Sequence, residues 1–338
     1  MKTLNLIYAL KGEKLVHISD VERGLKCGCN CQACGEILVA KKGDKVMHHF
    51  AHKSTIECEY GYQTSLHLAA KKVISENGII QVPALCLTFP ETGRKELLEP
   101  ERILNVSNVI LEKKLDNIIP DILLMTDIGK IIVEIFVTHE IDTEKKKKIK
   151  RLGIPTIEID LSNIDRNISE EDLQEVLIKK NEHKTWIYNG KREETYKKFV
   201  EVCDSMEVIT RNYALHVDNC PVRKRVWRQK PYANFTDDCL ECEYFIAYKC
   251  DRKDDIEYKR ILCSGRKRIA HVSDFDVPLE KRVQNYDDKR EEEIYELVGQ
   301  GICPQCGCDL VIRHSKFGEF FGCSNYPHCR FTFNYEDE

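Results

Sequence analysis

Residues 117–137 read NIIPDILLMTDIGKIIVEIFV, and this stretch decides the fold of the 338-residue chain. Two apolar runs, 122–125 and 131–137, are joined by the turn Thr126-Asp127-Ile128-Gly129, which predicts a β-hairpin. Asp121 stands at the start of one strand, and Glu134 lies within the next. Because facing side chains of paired strands lie close together, we expect Asp121 and Glu134 to converge.

The segments on either side of this hairpin alternate in character. Apolar residues at helical spacing predict a helix over 64–76, and alternation predicts a strand over 108–115. After the hairpin, a basic helix over 144–152 ends at Gly153, and a strand follows over 156–161. The order is therefore helix, three strands, helix, strand, an α/β fold, with further helices beginning at 169 and over 192–202.

The two hairpin carboxylates suit a hard divalent cation. An unpaired carboxylate is costly in an apolar environment, so the apolar neighbours of Glu134 favour a metal or another partner. Mg²⁺ or Mn²⁺ bound by Asp121 and Glu134 would activate a water molecule against a phosphodiester. Glu112 on the preceding strand is a third candidate, and His67 and Lys71 line one face of the helix.

The chain has 17 cysteines and 11 histidines, a clear excess of cysteine. No run approaches the ~18 apolar residues of a membrane span, so we expect a cytoplasmic protein that does not enter membranes. Thiols stay reduced there, and C-x-x-C pairs then indicate zinc rather than disulfides. The formal net charge of −4 gives no global basic field, so any nucleic-acid site must be local.

The C-terminal cysteine cluster has the spacing of a closed tetrahedral zinc site, with ligands Cys303, Cys306, Cys323 and Cys329. Its sequence, CPQCGCDLVIRHSKFGEFFGCSNYPHCRFTF, resembles the C4 zinc finger of bacterial topoisomerase I. That resemblance implies contact with single-stranded DNA, with Phe320 and Tyr326 as stacking faces. The alternative is that these aromatic rings fill the core of a small ribbon.

The N-terminal cluster repeats the same pattern, a C-x-x-C-G pair followed by two ligands about one hairpin later. The pattern predicts a second zinc site with the ligands Cys31, Cys34, His52 and Cys58. Two alternatives stay open, because His49 competes with His52 and either Cys27 or Cys29 competes with Cys31.

A middle cluster predicts a third zinc ion, held by Cys220, Cys239, Cys242 and Cys263, with Cys250 as the alternate ligand. Beside it runs a basic segment that could hold a phosphate backbone through Arg223, Lys224, Arg225 and Arg228. The alternative is a solvated basic strand that compensates nearby acids.

Six segments in the same order resemble the competence CoiA-like nuclease group of the PD-(D/E)XK superfamily: GLKCGCNCQACG, HHFAH, QTSLHLAAK, LEKKLDNIIPD, VEIFVTHEID and GIPTIEIDLS. The resemblance covers roughly residues 20–165. It implies a restriction-endonuclease-like mixed sheet preceded by a zinc-knuckle module, with DNA as substrate. It also implies that Asp121 and Glu134 bind metal, that His67 is an active-site residue and that Glu112 takes part.

The sequence departs from that family pattern at two positions. Phe136 stands where E-x-K would place lysine, so Lys71, a residue of the run 145–148, or His139 would have to substitute. Gln63 stands where relatives tend to have glutamate. Three hypotheses follow: a metal-dependent DNA endonuclease or DNA-processing enzyme, a catalytically degenerate DNA-binding protein on the same fold, and a zinc-stabilised protein-interaction module.

The expected organisation has six segments. They are an N-terminal zinc-knuckle module (1–62), a nuclease core (63–165), a helical extension (166–202), a cysteine-rich zinc module (203–271), a charged linker or helix (272–300) and a C4 zinc finger (301–338). DNA, single-stranded DNA included, is the expected partner, and a protein partner or a second copy is left open.

Overall fold

A computed structural model describes residues 6–43, 48–54, 58, 61–137, 142–165, 168–253 and 256–334. The chain divides into two compact units. Unit 1 comprises Met1–Leu85 and Glu99–Lys191, and unit 2 comprises Cys86–Leu98 and Arg192–Glu338.

Among the described residues, strands outnumber helices. Up to residue 188 the elements are β1 (Tyr8–Lys11), β2 (Lys14–His17), β3 (Leu38–Lys41), β4 (His49–His52), α1 (Gly61–Glu76), β5 (Ile79–Val82), β6 (Leu85–Thr88), β7 (Lys95–Glu99), β8 (Arg102–Leu111), β9 (Ile122–Thr126), β10 (Gly129–Phe136), α2 (Thr143–Leu152), β11 (Thr156–Asp160), α3 (Glu170–Gln174) and β12 (Lys184–Tyr188). They continue with α4 (Gly190–Glu201), β13 (Asp204–Glu207), β14 (Ile209–Arg211), β15 (Ala214–Asp218), β16 (Arg225–Trp227), β17 (Lys230–Asn234), β18 (Phe245–Lys253), β19 (Ile256–Cys263), α5 (Leu279–Gly299), β20 (Leu310–Ser315), β21 (Gly318–Cys323) and β22 (Thr332–Phe333). Short 3₁₀ helices span Ile18–Asp20, Leu25–Cys27 and Val272–Asp276, and π-helical turns span Glu175–Lys179 and Phe235–Cys239.

Unit 1 contains a six-stranded mixed sheet in the order β12-β11-β10-β9-β8-β5. Its central strands β10 and β11 are parallel, while the hairpin strands β9 and β10 are antiparallel. Successive β10 side chains alternate between faces: Val133 packs in the core with α1 residues such as Leu66, whereas Ile132 packs with Ile149 of α2. The two helices therefore cover opposite faces of the sheet.

The expected element order is wrong in one respect and shifted in another. Strand β5 follows α1 in the chain and pairs with β8 at the edge of the sheet. Four strands of this sheet therefore precede α2 in the chain, instead of three. The sequence did not predict this strand, because an apolar run of only four residues after a turn shows no clear hydrophobic periodicity. Strand β8 covers Arg102–Leu111 rather than 108–115, because Glu112 has a positive φ of 50° and ends the strand.

Helix α2 is fixed at both ends by its own sequence. The Asp142 carboxylate accepts a hydrogen bond of 2.6 Å from the Lys145 amide, which caps the first turn. Gly153 adopts a left-handed φ of 68° and ends the helix, with Lys150 and Arg151 in the last turn. These caps place Lys145 in the first turn of the helix, close to the end of β10.

Unit 2 is built from smaller sheets. They are the β6-β7 pair, the three-stranded sheet β13-β19-β18, the four-stranded sheet β14-β15-β17-β16 and the three-stranded sheet β20-β21-β22. The charged segment 272–300, for which the sequence left linker and helix open, contains the 21-residue helix α5, which begins after Pro278.

Candidate active-site carboxylates and zinc centres

Asp121 is held by three donors at the start of β9. Its Oδ2 accepts hydrogen bonds of 2.9 Å from His67 Nε2 and from the Ile135 amide, and its Oδ1 lies 3.1 Å from Lys71 Nζ. Lys71 Nζ also donates to Glu112 Oε1 at 2.8 Å. The predicted helix face and the predicted carboxylates therefore meet in one network.

Glu134 lies beside Asp121 on the neighbouring strand. The β9–β10 register pairs Ile122 with Val133, so the next positions along the two strands are Asp121 and Glu134. Glu134 is only 2% exposed, and its Oε2 accepts a hydrogen bond of 2.7 Å from Lys145 Nζ of α2. Within the described residues, Glu134 Oε1 has no hydrogen-bond partner.

The two carboxylates have pKa values shifted in opposite directions. Burial alone would raise the pKa of Asp121, but the hydrogen bond and charge of His67, the Ile135 amide and Lys71 outweigh it and hold this pKa well below its usual range. Burial raises the pKa of Glu134 to about 7, with the Asp121 charge adding to the rise and Lys145 opposing it. Pairs of acids separated in this way are typical of sites that do acid–base or metal chemistry.

Two lysines lie beside the carboxylates. Lys145 reaches Glu134, and Lys71 reaches Asp121, whereas Lys147 pairs with Glu144 on the exposed side of α2. The sequence offered Lys71 and the run 145–148, but it could not single out Lys145, because the partners depend on the packing of α1 and α2 on the sheet. The other substitute, His139, lies outside the described residues.

The four predicted N-terminal zinc ligands come together. One ligand atom each from Cys31, Cys34, His52 and Cys58 lies within 4.8 Å of all the others. The Sγ atoms of Cys31 and Cys58 are 3.9 Å apart, close to the roughly 3.8 Å expected between two sulfurs on one tetrahedral zinc ion. The rivals Cys27 and Cys29 lie outside this group; their buried thiols donate to backbone carbonyls. His49 also lies outside it.

The C-terminal cluster forms the second such group, with Cys303, Cys306, Cys323 and Cys329. The Sγ atoms of Cys303 and Cys329 are 3.7 Å apart, and those of Cys306 and Cys323 are 3.3 Å apart. Burial would raise the pKa of Cys306, but hydrogen bonds from the Cys308 backbone and the other thiols outweigh it and lower the pKa to about 7. Both groups fit structural zinc.

The same backbone turn presents the first two ligands in each group. The Gly35 amide donates to the Cys31 carbonyl at 2.9 Å, and the Gly307 amide donates to the Cys303 carbonyl at the same distance. Both glycines have a left-handed φ, 74° and 72° respectively. A glycine is required after each C-x-x-C pair because other residues pay a steric cost in that conformation.

The middle cysteines line a small buried cavity. Cys220, Cys239, Cys242 and Cys263 surround a space of about 20 Å³, room for one water-sized occupant. Their ligand atoms do not close to within 4.8 Å as in the other two groups. Burial raises the pKa of Cys239 to about 12. The alternate ligand, Cys250, is exposed on β18 and does not line the cavity.

The predicted DNA-contact residues fall into two settings. In the C-terminal zinc module over 301–334, called the ribbon below, Phe320 and Tyr326 line a cavity of about 220 Å³ together with arginines. The Arg313 guanidinium lies 5.6 Å from the Tyr326 ring centre. In the basic segment, Arg225 is held by Asp238, with Nε 2.7 Å from Oδ2, as the solvated-strand alternative expects. The other three basic residues, Arg223, Lys224 and Arg228, are exposed.

Paired C-x-x-C-G turns with a hairpin between ligand pairs define zinc-ribbon modules at both ends of the chain. The comparisons confirm the resemblance to CoiA over residues 18–61, which match the family model "Competence protein CoiA, N-terminal domain". They confirm the resemblance to the topoisomerase finger over residues 300–338, which match "Topoisomerase DNA binding C4 zinc finger".

Similar proteins match the chain over short segments. DNA topoisomerase 1 of Methanocaldococcus jannaschii is 65% identical over 95 residues, covering 27% of this chain and 11% of the relative. DNA topoisomerase 1 of Methanothermobacter thermautotrophicus is 50% identical over 44 residues, 13% of this chain and 6% of the relative. The chain thus spans a small fraction of these relatives. No solved structure matches it. Within the described residues, no helix combines the length and apolar character needed to cross a bilayer.

Proposed function

We propose that this chain is a metal-dependent DNA nuclease that hydrolyses phosphodiesters on a restriction-endonuclease-like core in unit 1. The observation that supports this most strongly is the meeting of Asp121 and Glu134 on adjacent strands, with Lys71 beside the first and Lys145 beside the second. The matches to the CoiA N-terminal domain and to a DNA-binding zinc finger support DNA as the substrate.

The donor set fits Mg²⁺ or Mn²⁺. Mg²⁺ is commonly bound through one or two carboxylates, with water and substrate phosphates completing the shell. The low pKa of Asp121 keeps it ionised, and the buried Glu134 carboxyl interacts directly with it, so both groups could face one cation. When bound, such an ion lowers the pKa of water and offsets charge on the phosphodiester.

The chain's own side chains account for the rest of the site. His67 and Lys71 hold Asp121 in one orientation and keep it ionised. Lys145 takes the place of the lysine that Phe136 replaces, because its ammonium group reaches Glu134 from α2 and can hold a phosphate oxygen there. Glu112 positions Lys71 through its hydrogen bond.

The zinc modules would position the DNA. The ribbon presents Phe320 and Tyr326 as stacking faces, and the middle module over 203–271 adds Arg223, Lys224 and Arg228. We further propose a third zinc ion at the buried cavity lined by the four middle cysteines. Binding there would require those sulfurs to draw closer together, as metal binding to thiols does when it completes a fold.

A second candidate is a DNA-binding protein without catalysis on the same fold. This alternative is favoured by the burial of Glu134 and by its ion pair with Lys145. In that case the ion pair itself neutralises the buried carboxylate and no cation is needed.

The test is cleavage of labelled single- and double-stranded DNA by the purified whole chain, with and without added Mg²⁺ or Mn²⁺. We expect Glu134→Gln to lower cleavage by more than about 100-fold, since it replaces a proposed carboxylate ligand of the metal by a neutral amide of the same size. Asp127→Asn is the matched control, because it makes the same kind of change at the exposed turn of the same hairpin. DNA binding without metal-dependent cleavage by the wild type would favour the second candidate.

A further inference from the structure

The four-stranded sheet of unit 2 has two unlike faces. Its inner face carries Val217 and Ala233, which belong to the apolar core around the middle cysteines. Residues paired across antiparallel strands share a face, so the register assigns His216, Tyr232 and Trp227 to the opposite side. One face therefore builds the core, and the other is polar and aromatic.

That outer face lines a groove of about 710 Å³. This volume is within the range of pockets that take small molecules or a short piece of a polymer. The lining combines cations, amides and flat rings: Arg211, Asn212, His216, Trp227, Arg228, Lys230 and Tyr232 are among its residues.

The charges of the groove do not cancel internally. Arg211 forms a two-point ion pair with Asp218 at 2.8 and 2.5 Å, which neutralises both. The remaining cations of the lining, Arg228 and Lys230, are exposed. The Arg228 guanidinium lies 5.8 Å from the centre of the Trp227 ring, so charge and a stacking face are adjacent.

The rings offer further contacts. Trp227 is 49% exposed, a large apolar surface left in solvent. His216 and Tyr232 have ring centres 5.5 Å apart, and His216 Nδ1 is buried without a hydrogen-bond partner among the described residues. On the ribbon, the His328 ring is parallel to the Trp227 ring within 6°, with ring centres 6.4 Å apart.

The rims of the groove are two strained hairpin turns. Asn212 and Tyr213 have φ of 46° and 73°, and Arg228 and Gln229 have φ of 47° and 68°. Two-residue turns with positive φ favour Asn followed by Gly, so Asn212 suits its position, whereas Tyr213, Arg228 and Gln229 each cost about 1 kcal/mol or more. The turns hold Tyr213 and Arg228 out into solvent at the edges of the sheet.

We propose that this groove binds single-stranded DNA, with bases stacked on Trp227 and Tyr232 and the backbone held by Arg228 and Lys230. The proposal rests on the proposed DNA function and deepens it by assigning a strand-binding surface outside both family-matched modules. Exposed rings flanked by cations are the recurring means of holding single strands, whose bases have free faces to stack. A duplex buries those faces and would not enter the groove in this way.

The experiment measures binding of a fluorescent single-stranded oligonucleotide to the zinc-loaded whole chain, without added Mg²⁺ so that cleavage does not interfere. We expect Trp227→Leu to weaken affinity ~10-fold. Arg228→Gln with Lys230→Gln should lower the slope of log affinity against log salt by about 1.4. Tyr258→Leu, and Lys249→Gln with Arg252→Gln, are matched controls on the other large sheet of unit 2 and should bind as the wild type does.

Tryptophan fluorescence separates stacking from indirect damage. The chain has two tryptophans, and oligonucleotide binding should quench the emission of the wild type but not that of Trp227→Leu, with zinc content equal in both. If the groove variants bind DNA and show the same quenching as the wild type, the groove is not the DNA-binding surface, while the proposed function stands. A wild type that binds no DNA would overturn both, and tighter binding to duplex or to RNA of the same sequence would overturn the choice of ligand.

Discussion

The proposed sites in the two units differ in how far their side chains are exposed. At the carboxylate site of unit 1 the ionisable groups are packed against one another, and Glu134 and Lys71 are 2% and 4% exposed. On the outer face of the four-stranded sheet and on the ribbon of unit 2, aromatic rings lie in solvent, with Trp227 49% and Phe317 87% exposed. Burial changes the pKa of a group and suits chemistry, whereas exposure keeps charges and rings free for a ligand. We therefore expect changes in unit 1 to alter reaction rates and changes in unit 2 to alter DNA affinity.

The two zinc groups show a similar contrast. Cys31 packs in the large core of unit 1 together with Phe50 and Leu38. In the ribbon, the buried core consists of three ligands, Cys303, Cys323 and Cys329, with a few half-buried neighbours. The ribbon thus depends on its metal for folding to a much greater extent than the N-terminal module does.

The largest effect we expect is therefore on the ribbon. Cys323→Ser should unfold residues 301–334, since structural zinc contributes about 10 kcal/mol to the folding of such a module. Zinc content should fall by one ion per chain, and proteolysis should then begin in that segment. Cys34→Ser should also lose one ion yet leave the neighbouring α1 protected from hydrogen exchange. Equal resistance of the ribbon in wild type and Cys323→Ser would refute the contrast.

Lys184 is a buried lysine away from the proposed site. Burial lowers the pKa of Lys184 to about 8, while its unfolded value is about 10.5. Between these values the unfolded chain holds a proton that the folded chain has released, so Lys184 makes unfolding harder as pH rises from 8 to 10.5. The wild type should gain about 3 kcal/mol over Lys184→Met across that window in denaturant unfolding. A constant difference would show that burial in unit 1 does not shift the pKa of this group.

Lys145 should then separate rate from affinity. Removing its ammonium group takes away a charge beside Glu134, so Lys145→Met should lower metal-dependent cleavage about 100-fold. DNA affinity should change by less than about twofold. Lys147→Met serves as the control, since Lys147 lies two residues along the same helix and pairs with the exposed Glu144. Equal loss in both variants would mean that general charge on α2, and not the contact with Glu134, matters.

The smallest effect should come from the ribbon surface. Tyr326→Leu removes one exposed stacking ring and should weaken binding of single-stranded DNA about fivefold, with cleavage of saturating DNA unchanged. Fluorescence anisotropy measures the affinity, and the zinc content verifies the fold. Phe331→Leu, a half-buried core position, should instead lower stability. Unchanged DNA affinity of Tyr326→Leu would show that this ring does not contact DNA and only packs within the ribbon.

Local sequence patterns predicted what depends on local structure. The hairpin around Thr126–Gly129, helix α2 with its Gly153 end and the two C-x-x-C-G turns each follow from a few adjacent residues. Strand β5 was missed because a strand of four residues owes its place to pairing with β8 across the chain.

The site shows the same division. The sequence named Asp121, Glu134, Lys71 and the run 145–148, but the choice of Lys145 from that run depends on α2 packing on the sheet. The aromatic groove could not be predicted from the sequence at all, since the pairing order β14-β15-β17-β16 brings His216 and Trp227 onto one face. A single-residue change in register would have turned these rings toward the core.

The most direct test of the proposed carboxylate site is the Asp121→Asn variant, in which both DNA cleavage and DNA binding are measured. Single-turnover cleavage of DNA with Mg²⁺ and DNA affinity without it are measured for the whole chain and for Asp127→Asn. We expect a loss of cleavage of more than about 100-fold in Asp121→Asn, with affinity within about twofold of the wild type. Metal-dependent cleavage that persists in Asp121→Asn would contradict the proposed site.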